Sequence, residues 1–247
     1  MFTSEQRDSV REYVLNLART DPRVTSGALI GSMAGDAEDQ WSDIDITFGI
    51  ADGFTPTDVL DDWSEVLERE LGALHYWDLP FASSIYRVYL LPSGLELDVS
   101  ATPQADFGAR GPRFRTLFGT SRELEPTPPP STRYLIGLCW HHVLHARASI
   151  ERDKPWRAEY WISALRDNIL TLACIRLGEE PAYGRGADRL PASVTEPLAG
   201  TLVRSLDRTE LRRALAVATE CFLSELQTED SVFAAHLRPV LEELGAP

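Results

Sequence analysis

Gly27-Ala28-Leu29-Ile30-Gly31-Ser32, followed after ten residues by Asp43-Ile44-Asp45-Ile46, is the stretch on which the reading of this chain turns. Residues 24–30 form a short apolar run closed by Gly31-Ser32, and in 44–50 the apolar Ile44, Ile46 and Phe48 alternate with Asp43, Asp45 and Thr47. Both patterns predict strands. Strand side chains alternate faces, so Asp43 and Asp45 point one way while Ile44 and Ile46 enter the core. Two carboxylates on one edge suit a hard divalent cation. Magnesium takes one or two carboxylates and completes its octahedron with water and substrate phosphate oxygens. Gly31 lets the backbone approach a phosphate closely, and Ser32, at the start of an expected short helix, offers a hydroxyl and an unsatisfied amide to the same anion. Ser42, just before the pair, reads equally as a contact to a ligand and as a turn residue.

A third acid is expected on a neighbouring strand, and Leu95-Glu96-Leu97-Asp98-Val99 supplies two. Leu95, Leu97 and Val99 point inward, which leaves Glu96 and Asp98 together on the other face, so strand parity does not choose between them. Such a carboxylate can bind a second ion or take the proton of an attacking hydroxyl.

Working outward, Thr3-Ser4-Glu5-Gln6 predicts a capping box for a helix that carries Val10, Tyr13, Val14 and Leu17 and stops near Asp21-Pro22. Residues 56–71 repeat at helical spacing and end at Gly72. Residues 73–79, 84–91 and 95–101 read as extended, the last two joined by a Pro92-Ser93-Gly94 turn. Arg87, on the strand before Asp98, is a phosphate candidate. The run Glu125-Pro126-Thr127-Pro128-Pro129-Pro130-Ser131 is too proline-rich for helix or central strand. It divides the chain into an α/β domain over 1–125, a linker over 126–132 and a helical bundle over 133–247. The helices are expected at 134–150, 156–177, 194–206, 210–226 and 231–244. The fold class is therefore α+β, a mixed sheet flanked by helices plus a C-terminal α-helical bundle.

In the helical half, His141 and His145 stand four apart on one face, the spacing of two metal ligands, but no third ligand is evident, and a packed role is the simpler reading. Glu159 and Arg166, seven apart, are expected on nearly one face, where Glu159 would bind a substrate amine and Arg166 a phosphate. Trp156 and Trp161 on the same helix fit ordinary packing.

The chain has 247 residues, 24 basic against 38 acidic, for a net charge of -14. That balance argues against holding the backbone of nucleic acid and suits a cationic small substrate, although solubility alone explains it as well. No segment approaches the ~20 apolar residues of a membrane span. The polar start lacks a secretory pattern, and the odd, scattered Cys139, Cys174 and Cys221 read as reduced core residues, all of which points to the cytoplasm.

The pattern Gly31-Ser32 to Asp43-Ile44-Asp45, with a later acid in an apolar strand, resembles the nucleotidyltransferase superfamily typified by DNA polymerase beta. It is also similar in size and layout to the aminoglycoside and lincosamide nucleotidyltransferases, which carry a helical second domain. The motif match covers about the first hundred residues. The resemblance implies that Asp43, Asp45 and Asp98 hold one or two Mg²⁺ ions against the triphosphate of a nucleotide, that Gly31 and Ser32 grip its phosphates, and that Asp98 is the base, with Glu96 its competitor. It further implies transfer of a nucleoside monophosphate, AMP from ATP, to a hydroxyl of a small molecule such as an aminoglycoside, by a monomer or homodimer. Rival readings are transfer to protein or RNA and an idle nucleotide-binding module.

Overall fold

The computed structural model describes residues 1–35 and 39–246 and divides into two compact units, Met1–Thr127 and Pro128–Pro247. In the first unit, α1 (Ser4–Thr20) opens with the predicted capping box. The Thr3 hydroxyl accepts from the Gln6 amide at 3.2 Å, and the Gln6 side chain accepts from the Thr3 amide at 2.8 Å. Then follow β1 (Val24–Ile30), a 3₁₀ turn (Gly31–Gly35), β2 (Ile44–Ile50) and α2 (Pro56–Leu71), which ends on Gly72 in the left-handed region. After it come β3 (His75–Phe81), β4 (Ser84–Leu90), β5 (Glu96–Pro103), β6 (Gly108–Ala109), β7 (Phe114–Phe118) and β8 (Arg122–Glu123).

Six strands form one mixed sheet in the order β3-β4-β5-β2-β1-β7, while β6 and β8 pair separately. The parallel pair in this sheet is β2 with β5; its other pairs are antiparallel. A parallel pair needs a long crossover, supplied here by α2 and the β3–β4 hairpin. Helices α1 and α2 pack on one face through Val14, Val59, Leu60, Trp63 and Leu67 against Ile44, Ile46, Phe48, Leu97 and Val99. Each such fully buried side chain contributes about 1.5–3 kcal/mol. A one-residue slip of β2 would exchange that burial for Asp43 and Asp45, so the apolar stripe fixes the register and forces both acids to the opposite face.

Strand β7 went unpredicted. It pairs with β1 through Ala28↔Thr116 and Ile30↔Phe114, and the Phe118 ring fills the space that the missing Gly27 side chain leaves.

The second unit contains α3 (Thr132–Glu151), α4 (Pro155–Leu177), α5 (Ala192–Ala199), α6 (Arg208–Glu229) and α7 (Ser231–Gly245). One apolar core runs through Ile136, Val143, Ile162, Leu165, Leu215 and Phe222. The helix expected over 194–206 is shorter than predicted. It contains Pro197 and stops at Gly200, and the chain beyond is held in a non-helical path by Arg213, which donates to the carbonyls of Gly200 (2.6 Å) and Leu202 (3.0 Å).

Candidate active site

The parallel register of β2 and β5 sets Asp45 directly beside Asp98. Laterally paired residues share a sheet face, and neighbouring strands lie about 4.8 Å apart, so the two carboxylates form a pair on the face away from α1 and α2. The antiparallel ladder extends this row from Asp98 to Val88 and on to Trp77, which is 53% exposed. Asp43 and Glu96 lie at the near ends of their strands, and the next row inward is Thr47, Ser100 and Tyr86. Acids therefore crowd one end of the face, with aromatic and hydroxyl side chains at their flank.

Gly31 is the point where the sequence motif becomes geometry. Its φ of 68° lies in the left-handed region, and a β-carbon there would strike the Asp45 carboxylate. Only glycine satisfies both constraints, so the turn leaving β1 closes directly onto the acid of β2. The expected short helix is a 3₁₀ helix, Gly31–Gly35, with Ser32 half-buried within it.

Burial pushes the Asp98 carboxyl up to about 7, with further contributions from the charges of Asp45, Glu96 and Asp43. Its Oδ1 is buried without a hydrogen-bond partner in the protein, and so is the hydroxyl of Ser100 beside it. A buried acceptor left unpaired costs about 1–3 kcal/mol, which a ligand at this spot would relieve. Glu96, by contrast, is exposed. Among the described residues, no three His, Cys, Asp or Glu side chains converge into a ready metal cage. The donor set nevertheless fits magnesium, which needs only one or two carboxylates where substrate phosphates and water complete the shell.

Other sequence candidates have different surroundings. Arg87 pairs with Val99 in the ladder and so faces the helices, not the acids. It is 2% exposed, chelates Asp78 at 2.6 and 2.7 Å, donates to Asp61 at 2.8 Å and lies under the Tyr76 ring. It is a structural cation of the β4–α2 interface, which corrects the phosphate reading. Ser42 spends its hydroxyl in a turn, accepting from the Asp39 amide at 2.9 Å and donating to the Asp39 carboxylate at 3.1 Å. His141 and His145, with ring centroids 4.2 Å apart, pack against Trp161. Glu159 and Arg166 do share one face of α4, in the second unit, linked through the Ser163 hydroxyl.

Tyr86, on the acid face, escaped the sequence reading. Its hydroxyl is raised above its ordinary value, chiefly by burial, then by Asp98, with Arg110 opposing and Asp45 adding. A signal for Tyr86 existed: a hairpin centred on Pro92-Ser93-Gly94 sets Val88 opposite Asp98, which puts Tyr86 on the acid face and Arg87 off it.

No protein-family model and no curated protein matches the chain. Among solved structures, the chain is similar to an aminoglycoside 6-adenyltransferase from Bacillus subtilis, at 13% identity over 100% of both chains with a TM-score of 0.43. It is also similar to a nucleotidyltransferase-like protein from Exiguobacterium sibiricum 255-15, at 11% identity over 94% of this chain and 80% of that one with a TM-score of 0.38. A third likeness is to terminal uridylyl transferase 4 from Trypanosoma brucei with bound GTP, at 13% identity over 90% of this chain and 67% of that one with a TM-score of 0.32.

Proposed function

We propose that the chain is a magnesium-dependent nucleotidyltransferase that moves a nucleoside monophosphate, AMP from ATP, onto a hydroxyl of a small cationic molecule of the aminoglycoside type. The observation that carries this reading is the register pairing of Asp45 with Asp98 beneath a left-handed Gly31 that touches the Asp45 carboxylate.

In this reading, Asp43 and Asp45 hold the cation, and Asp98 either shares it or faces the acceptor. A bound divalent cation supplies charge neutralisation at the phosphates and at the attacking and leaving oxygens. The turn at Gly31 brings backbone amides toward the phosphates, and Ser32 adds its hydroxyl. Asp98 accepts the proton of the acceptor hydroxyl as its oxygen bonds to the α-phosphorus. The bond from the α-phosphorus to the bridging oxygen breaks, and that oxygen leaves with pyrophosphate. A base is most effective when its pKa lies near the working pH, and burial with the neighbouring carboxylates pushes the Asp98 carboxyl up to about 7. The acids on this face and the net charge of -14 both favour a cationic acceptor over a polyanionic one.

The test is pyrophosphate release from each of the four nucleoside triphosphates with Mg²⁺ across a panel of aminoglycosides and lincosamides, comparing wild type with Asp45→Asn. Acceptor-dependent release that falls at least about 100-fold in the variant is expected, since the lost carboxylate both holds and orients the cation. Release that Asp45→Asn leaves intact would remove the carboxylate pair from the chemistry.

A further inference from the structure

The two acids of the Asp43-Ile44-Asp45 motif are held by different means. Asp45 lies inside the β2–β5 ladder, paired with Asp98, so the sheet fixes it. Asp43 stands one residue before β2, and the ladder begins after it, at Ile44↔Leu97. The sheet therefore leaves the approach of the chain to Asp43 to be set by the residues that precede it.

Those residues form a closed turn. The Ser42 amide donates to the Asp39 carbonyl at 3.3 Å, the Asp39 amide donates to the Ser42 hydroxyl at 2.9 Å, and that hydroxyl donates to the Asp39 carboxylate at 3.1 Å. The same carboxylate oxygen accepts from the Trp41 amide at 2.8 Å. Aspartate suits this position because its short side chain accepts from the backbone two residues on. These bonds fix the shape of the turn but not its place on the protein. Arg7 of α1 fixes the place: its side chain is 5% exposed, and its Nη1 donates to the Asp39 carbonyl, which thus takes both the turn-closing bond and the bond to the helix. On the other side of the acid pair, Arg115 of β7 donates through Nη2 to the Met33 carbonyl at 3.2 Å, in the segment that follows Gly31. The chain leaving Gly31 and the chain entering Asp43 are each tied by an arginine to a neighbouring element.

We propose that Arg7 and Asp39 are positioning residues for the cation site: Asp39 shapes the turn, Arg7 anchors it to α1, and together they set the Asp43 carboxylate against Asp45, which the sheet already holds. This assignment rests on the nucleotidyltransferase reading. The part played by Asp39 is geometric, since its acceptor oxygen and not its charge closes the turn, and that distinguishes it from an acid that merely adds negative potential.

The probe is Mn²⁺, which takes the same hard oxygen donors as Mg²⁺. It is titrated into the full chain, with and without ATP, and read by electron paramagnetic resonance. The proteins are wild type, Asp39→Ala, Asp39→Asn, Arg7→Met, Arg7→Lys and Asp45→Asn. Asp39→Ala is expected to bind Mn²⁺ about tenfold more weakly, the usual effect of losing a group that orients a metal ligand. Asp39→Asn removes the same charge but keeps the acceptor oxygen, so it is expected to bind within about twofold of wild type, the exposed charge being screened by salt. Arg7→Met should follow Asp39→Ala, with part of the loss recovered in Arg7→Lys. Arg7 is buried, so its variants are compared where circular dichroism shows them folded; the exposed Asp39 decides the matter if they are not. The Mg²⁺ needed for half-maximal pyrophosphate release should rise in Asp39→Ala by the factor seen with Mn²⁺, while the rate at saturating Mg²⁺ falls less. Equal weakening by Asp39→Ala and Asp39→Asn, or wild-type binding in Asp39→Ala, would overturn the positioning role; the function stands if Asp45→Asn still weakens Mn²⁺. Binding that Asp45→Asn leaves unchanged would overturn both.

Discussion

Replacing Asp98 by asparagine is expected to stabilise the protein at alkaline pH while removing its activity. The folded carboxyl sits near 7 against an ordinary value of 3.8. Between those two values the unfolded chain has released a proton that the folded chain keeps, so raising the pH draws the equilibrium toward the unfolded state. The penalty is absent below 3.8, grows through the interval and is complete above about 7. At about 1.36 kcal/mol per pH unit, the interval sets a ceiling of about 4 kcal/mol. Asp98 retains some exposure, and solvent screening brings the expected gain of Asp98→Asn at pH 8 to about 2 kcal/mol. At pH 4 the gain should be small, because the pH is then only slightly above the ordinary carboxyl value while the folded carboxyl is still protonated. The assay is urea unfolding of wild type and variant at pH 4, 6 and 8 in a chelator, with pyrophosphate release measured in parallel. Mg²⁺ should stabilise wild type more than the variant, since an ion that binds only the folded state adds its binding free energy there. An Asp98→Asn protein no more stable than wild type at pH 8, or equally stabilised at pH 4, would refute the claim that a buried, charge-crowded carboxylate is held in the site.

Gly31→Ala forces a side chain into the left-handed region at a cost of about 1–2 kcal/mol and drives it against Asp45. Thermal unfolding should register that modest loss, while pyrophosphate release should fall at least about tenfold; a fully active variant would show that Asp45 does not need its observed position. Arg87→Met leaves Asp78 and Asp61 without their shared cation. The arginine is buried, but both acids keep partial exposure, so the expected cost is about 2–3 kcal/mol, below that of a wholly buried pair. The nucleotide KM of the folded variant should not change, and a raised KM at unaltered stability would restore Arg87 to the substrate.

The sequence made the acid face legible because the information there is local. Ile44, Ile46 and Phe48 alternate with Asp43, Asp45 and Thr47, and burying the first set against the helices turns the second to the opposite face, so two-residue periodicity alone orients the carboxylates. The capping box at Thr3 and the glycine stop at Gly72 are equally local, and both stand where their chemistry demands. The helix over 194–206 misled because its apolar residues continue past Gly200, whereas the interaction that ends it comes from Arg213, on a different helix. Strand β7 was hidden for a related reason: Phe114-Arg115-Thr116-Leu117-Phe118 has little alternation of its own and becomes a strand by pairing with β1.

The choice between Asp98 and Glu96, and the placement of Arg87, show where local reading ends. Glu96 and Asp98 share a face, so periodicity cannot rank them. The parallel register separates their surroundings, setting Asp98 and not Glu96 beside Asp45 and partly burying it, while Glu96 stays in solvent. Arginine placement follows the same logic. Arg87 lies close in sequence to the acids but on the wrong parity of its strand, and two carboxylates on the helix side already satisfy it. An acid pair is therefore set by what its own strand must bury, whereas the role of an arginine is set by which carboxylates the packing of neighbouring strands and helices brings to it.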